Sequence, residues 1–223
     1  MLIIFDLDDT LIDSSGSIIP VKLKAALQAM AKAGLKVSSI DNAFRTLMDI
    51  NANSPNGQET LRTFLDSIRA DGRFLGVGVK EYYSVPETPF SVSPLPQTIE
   101  TLKELQGNHN LVIVSTGDEK QQRLKLKKAN IDSALFHTII VCEGYNKKAH
   151  YKNLMKEFNC NPREVLVCGD KFETDLLPAK ELGMGTVHIL WGRSSGMPIK
   201  GAGPDYSIRS LPELKRIVNE QAI

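Results

Sequence analysis

Asp6-Leu7-Asp8-Asp9-Thr10 follows directly on the apolar run Leu2-Ile3-Ile4-Phe5, and Gly169-Asp170 follows on Val165-Leu166-Val167-Cys168, with Asp175 five residues further on. Both apolar runs are short and partly β-branched, and they read as buried strands. In open α/β sheets ligands bind beyond the carboxyl ends of the strands, so Asp6, Asp8 and Asp170 are expected at one edge. Asp6 and Asp8 stand two apart in a segment leaving a strand, which lets both face one site. Carboxylates crowded in this way repel one another and resist desolvation. A hard divalent cation removes the repulsion, and oxygen donors suit Mg²⁺. Without a ligand, the acidic turn would cap the next element and Asp175 would cap the helix after it. A third apolar run, Val112-Ile113-Val114, leads into Ser115-Thr116-Gly117. Its hydroxyl and free backbone N–H groups suit a phosphate oxygen, although Ser-Thr-Gly is also common in plain turns.

These segments need elements to hold them. Further strand-like runs occur at Leu111–Val114, Thr138–Val141, Thr186–Leu190 and Tyr206–Ile208. Between them the apolar spacing predicts helices over Thr98–Leu105, Lys120–Ala129, Ala149–Phe158, Asp175–Leu182 and Leu211–Asn219. Strand alternating with helix is the pattern of an α/β fold with a parallel sheet. The alternation fails over residues 14–93, where Lys22–Ala33, Asp41–Asp49 and Glu59–Ile68 have amphipathic helical spacing. Pro86, Pro89, Pro94 and Pro96 then mark a return linker. The expected division is a core of residues 1–13 and 94–223 and a helical insert of residues 14–93. Gly76-Val77-Gly78 resembles the start of a dinucleotide-binding turn but lacks the third glycine and a preceding strand.

A formal net charge of +1 leaves no global positive field to recruit nucleic acid. Lys120, Arg123, Lys125, Lys127 and Lys128 form a local basic cluster, read as a solvated helix face. Three cysteines without a C-x-x-C pair argue against a disulfide framework or a cysteine zinc site. His109, His137, His150 and His188 have no metal-ligand spacing. The run Leu2–Phe5 is too short for a signal peptide or a membrane span, so a cytoplasmic protein with no membrane partner is expected.

In this order the pieces resemble the haloacid dehalogenase superfamily of hydrolases. Asp6-Leu7-Asp8-Asp9-Thr10 matches its D-x-D-x-T motif, Ser115 its strand-ending Ser or Thr, Lys147 or Lys148 its lysine before a helix, and Gly169-Asp170 through Asp175 its G-D-x-x-x-x-D. The proline usual after that lysine is absent, and Lys147 is preferred over its neighbour. The resemblance implies a Rossmann-like parallel sheet with helices on both faces and an inserted α-helical cap. It also implies a Mg²⁺-dependent phosphatase acting on a small phosphorylated metabolite through an aspartyl-phosphate. Asp6 would be the nucleophile and Asp8 the acid and base. The Asp6 carboxylate, the Asp8 carbonyl and the Asp170 carboxylate would hold the cation, with Asp175 in support. Ser115, Thr116 and the lysine would bind phosphoryl oxygens. Alternatives on the same fold are a phosphomutase, a 2-haloacid dehalogenase, which lacks the second aspartate of D-x-D, and a non-catalytic module, which would have lost Asp6 or Asp8.

Overall fold

All four residues of β1 (Leu2–Phe5) are buried, as an apolar run without polar alternation requires. In this computed structural model β1 lies inside a six-stranded parallel sheet ordered β3-β2-β1-β4-β5-β6. The other strands are β2 (Asn110–Thr116), β3 (Thr138–Cys142), β4 (Val165–Gly169), β5 (Gly185–Ile189) and β6 (Tyr206–Ile208). The structure describes residues 1–84, 90–142, 144, 146–196, 198–199 and 201–221. Among them no helix is long and apolar enough to cross a membrane.

From β1 the chain builds β2 and β3 on one side, then crosses back to place β4 on the other. That reversal makes the carboxyl ends of β1, β2 and β4 the topological switch point, where a crevice opens in doubly wound sheets. Phe5 pairs with Ile113 of β2 and Cys168 of β4, so Asp6, Val114 and Gly169 sit at one level. The alternate residues Leu2, Ile4, Val112 and Val167 pack against Tyr151 and Leu154 of α7 (Lys147–Glu157). Ile3, Phe5, Leu111 and Ile113 face the other way and are equally buried. The remaining core helices are α5 (Thr98–Gln106), α6 (Glu119–Lys128), α8 (Leu177–Lys180) and α9 (Leu214–Gln221).

The chain divides into two units. The sheet unit comprises Met1–Ser14, Val92–Trp191 and Pro198–Ile223; the helical unit comprises Ser15–Ser91 and Gly192–Met197. Helices α1 (Ser14–Lys32), α2 (Ile40–Asn51), α3 (Gly57–Ser67) and α4 (Arg73–Tyr83) build the second unit around Leu23, Leu27, Met30, Leu47, Leu61 and Phe64. Ser39 and Asn56 cap α2 and α3 by accepting from the Asn42 and Glu59 N–H groups.

Several expectations change. The first helix starts at Ser14, not Lys22, and runs through Pro20; burial of Ile18 and Ile19 offsets the lost backbone bond. Gly76 and Gly78 lie inside α4, where a Cβ on Gly78 would stand 2.8 Å from Met30 Sδ. Gly78 thus serves helix packing, Gly76 has open space beside it, and neither forms a nucleotide turn. The insert boundary lies one residue later at its start and two earlier at its end than 14–93, and Gly192–Met197 groups with it unannounced. Pro86 and Pro89 of the expected linker lie outside the described residues.

Candidate active site

Asp6 leaves β1 with its N–H donating to Cys168 O at 2.9 Å, which ties the acidic turn to β4. Asp170 leaves β4 one residue beyond the strand. Asp175 closes back on the same point through a π-helical turn, Phe172–Leu176, where the sequence predicted the start of a regular helix. Each of the three is buried, and one carboxylate oxygen from each lies within 4.8 Å of the others. Gly169 makes the approach feasible. A Cβ there would fall 2.7 Å from Asp175 Cβ and 2.8 Å from its Oδ2, so the glycine is required for room and not for a left-handed turn.

Lys147, at the start of α7, is buried among these acids. Its Nζ lies 2.6 Å from Asp6 Oδ1 and 2.8 Å from Asp175 Oδ1. Lys148, one residue on, points elsewhere and pairs at the surface with Glu181. The geometry therefore brings Lys147, and not Lys148, to the aspartates. Asp175 is further held by Thr174 Oγ1 at 3.0 Å and by the Lys171 N–H at 3.1 Å. Its backbone carbonyl accepts from the Tyr151 hydroxyl at 3.1 Å.

Burial raises the Asp6 carboxyl to about 6, with Lys147 opposing and Asp175 and Asp8 adding to the rise. Asp170 is pushed well above the ordinary carboxylate value by burial, against Lys171 and with Asp175 and Asp6. Lys147 is destabilised as a cation by burial, yet Asp175 and Asp6 outweigh this and hold its pKa well above the usual value. Lys147 thus stands among three buried carboxylates, with Lys171 acting on Asp170. Such a set is short of positive charge, and its donors are all oxygens, which fits a hard dication such as Mg²⁺.

Asp8 departs from the sequence expectation for its side chain. Its carboxylate is not part of the three-aspartate group. Lys125 Nζ reaches both of its oxygens at 2.8 Å, Gln122 Nε2 donates to Oδ2 at 2.9 Å, and the Ser14 hydroxyl donates to Oδ1. Burial would raise the Asp8 carboxyl, but Lys125, Gln122 and Ser14 pull it far below the ordinary range. Lys125 is thus half-buried, not one more member of a solvated face. Asp9 is buried in a left-handed conformation at φ 57°, which Asp tolerates better than most residues.

Ser115 is buried at the end of β2 and accepts from Gln122 Nε2 at 2.7 Å, which leaves its own hydrogen to donate. The Thr116 hydroxyl is buried with no partner among the described residues. An orphaned buried hydroxyl is costly, and a ligand oxygen would satisfy it.

Gln122, Lys125 and His188, to which the sequence assigns no site role, support the acidic turns. Gln122 and Lys125 stand three apart on α6, a spacing that shares a helix face, directly after the Ser-Thr-Gly turn. His188, opposite Gly169 in the sheet, donates from Nε2 to the Asp170 carbonyl at 2.7 Å. It buttresses the turn that carries Asp170 and is not a metal ligand by spacing or position.

The stretch 3–189 matches the family described as Haloacid dehalogenase-like hydrolase. A glyceraldehyde 3-phosphate phosphatase of Methanocaldococcus jannaschii is 32% identical over 226 residues, spanning 97% of this chain and 96% of that protein. A phosphoglycolate phosphatase of Vibrio vulnificus is 29% identical over 225 residues, covering 97% and 95%. In structure, a predicted phosphoglycolate phosphatase from Haemophilus somnus superposes with a TM-score of 0.71 at 20% identity, over 97% of this chain and 96% of the other. The family match covers the three acidic and hydroxyl turns just described and the strands that carry them, and on that ground the chain belongs to the haloacid dehalogenase-like hydrolases and is an enzyme.

Proposed function

We propose that the chain is a Mg²⁺-dependent phosphatase of small phosphorylated metabolites that works through a phosphorylated Asp6. The observation that carries this reading is the buried cluster of Asp6, Asp170 and Asp175, with the Lys147 ammonium against Asp6 and Asp175, at the switch point of the sheet. The relatives named for glyceraldehyde 3-phosphate and phosphoglycolate support a substrate of two or three carbons.

The residues divide the work as follows. The Asp6 carboxylate, the Asp8 carbonyl and the Asp170 carboxylate would hold the cation. Bound there, Mg²⁺ supplies positive charge to the carboxylates and to the phosphoryl oxygens. Asp6 attacks phosphorus as the bond to the leaving oxygen breaks. Asp8, whose carboxylate Lys125 and Gln122 hold ionised without substrate, has to take up a proton as substrate binds; it gives that proton to the leaving oxygen, then takes one from the water that releases phosphate and restores Asp6. Lys147 stands beside Asp6, where it offsets the charge of the incoming phosphoryl group. Asp175 keeps that ammonium in place, and Ser115 and Thr116 donate hydroxyls to phosphoryl oxygens. The helical unit is assigned the part of a cap that selects the substrate.

Purified protein is expected to release phosphate from glyceraldehyde 3-phosphate or phosphoglycolate with Mg²⁺, to stop when a chelator is added and to recover when Mg²⁺ is returned. Turnover indifferent to chelator, or no release from any phosphomonoester in a broad panel, would refute the reading. Gly169→Ala is expected to cost about 100-fold in turnover, the scale of an ångström-level displacement near reacting atoms, because the new methyl drives Asp175 off Lys147. Turnover within threefold of the parent would show that Asp175 tolerates displacement.

A further inference from the structure

Outside the three-aspartate cluster the most elaborate polar assembly at the switch point surrounds Asp8. Gly117, at φ 146°, turns the chain out of β2 in a conformation that L side chains rarely adopt. Asp118 then caps α6 by accepting from the Gln121 N–H at 2.9 Å. This start sets the rotation of the helix, and Gln122 and Lys125 emerge on the face toward Asp8.

Gln122 is buried, and its amide nitrogen meets three acceptors: Asp8 Oδ2 at 2.9 Å, Ser115 Oγ at 2.7 Å and Thr116 O at 3.3 Å. It ties the carboxylate of one turn to the hydroxyl of the next. Lys125 contacts both oxygens of Asp8 at 2.8 Å. Its side chain is 15% exposed, unlike Arg123 on the same helix, which meets Glu119 in open solvent at 52% exposure. An exposed ion pair contributes little. A half-buried, charge-assisted pair reinforced by an amide fixes geometry.

We propose that Lys125 and Gln122 are positioning residues that fix the rotamer of Asp8, so that its carboxylate meets the leaving oxygen while Asp6 keeps the cation. The inference rests on the proton-transfer role assigned to Asp8 above. A carboxylate on a mobile side chain next to three others has competing places to go, above all the cation itself. Two donors from one helix, anchored at both oxygens, remove that freedom without entering the cluster.

The test compares two substrates by the need of their leaving groups for a proton. Release of the leaving group is followed under single-turnover conditions with Mg²⁺, for 4-nitrophenyl phosphate and for a simple alkyl phosphate. Lys125→Met is expected to slow alkyl release by about 10- to 100-fold, the range of a misplaced acid, while aryl release stays within about threefold. Gln122→Met is expected to show the same selectivity at smaller size, and Lys125→Arg, which keeps a charged two-donor grip, is expected to recover much of the alkyl rate. Equal losses on both substrates, no loss on either, or faster alkyl release in Lys125→Met would overturn the positioning role while leaving the phosphatase reading intact. Wild-type protein that releases neither leaving group with Mg²⁺ would overturn both. Melting temperatures measured alongside identify a variant that has simply unfolded, in which case Lys125→Arg against wild type decides through the same ratio.

Discussion

Asp6→Asn is expected to lower phosphate release by about 10⁴-fold or more, since it removes the atom that attacks phosphorus. The same substitution is expected to raise the melting temperature of the metal-free protein at pH 8. Burial lifts the Asp6 carboxyl to about 6, Lys147 notwithstanding. A carboxyl whose folded value exceeds its unfolded value of about 3.9 contributes its full stability only below pH 4 and loses it as pH rises through 6. A rise of that size corresponds to roughly 3 kcal/mol, at about 1.4 kcal/mol for each tenfold change in acidity. Asn carries no charge and escapes that loss, so the gap between variant and parent should be wide at pH 8 and narrow at pH 5. Thermal melts in chelator at the two pH values check it. A variant less stable than the parent at pH 8 would mean that the Lys147 pairing outweighs the burial of Asp6.

Lys147→Met is expected to move stability in the opposite direction. Its side chain is 2% exposed and lies against Asp6 and Asp175. Removing one partner from a buried ion pair costs about 3–5 kcal/mol, because the other charge is left uncompensated. Turnover should fall with it, by about 100- to 1,000-fold if the ammonium stabilises the transition state as a fixed donor does. Mg²⁺ should restore part of the lost stability, since a dication held by the same acids binds the folded state alone. Lys148→Met is the matched control: that side chain is 41% exposed beside Glu181, and surface pairs are worth at most about 1 kcal/mol. The comparison requires melts with and without Mg²⁺ and turnover for both variants. If Lys148→Met proved the damaging change, the assignment of the buried lysine would fall.

Asp6 and Asp170 were legible because acids at the ends of buried strands have few other reasons to be there. The sheet was legible for a related cause, since uninterrupted apolar runs of four or five residues fit little else. The choice between Lys147 and Lys148 was not, because neighbours on a helix differ by about 100° of rotation and only the point where α7 starts decides which faces inward. Lys125 was hidden by its company: in a run of five cations, sequence spacing does not distinguish the one that meets Asp8. Asp175–Leu182 read as ordinary helix because its apolar spacing is helical, whereas a π turn over Phe172–Leu176 leads into it. That wider turn follows from Asp175 closing on Lys147, a long-range contact that local spacing does not encode. Gly192–Met197 has no apolar pattern, and its membership of the helical unit rests on tertiary contact alone.

That last segment bears on how such enzymes trade parts. The backbone passes between the two units at 14/15, 91/92, 191/192 and 197/198, four places where a simple insertion has two. Arg193 gives its Nη1 hydrogen to Asn51 Oδ1 at 3.1 Å, the same oxygen that accepts from Thr60 at 3.2 Å. A chimaera that exchanged only residues 15–91 with a relative would strand that guanidinium opposite a foreign surface. Domain shuffling at this locus therefore has to carry a second, distant hexapeptide along.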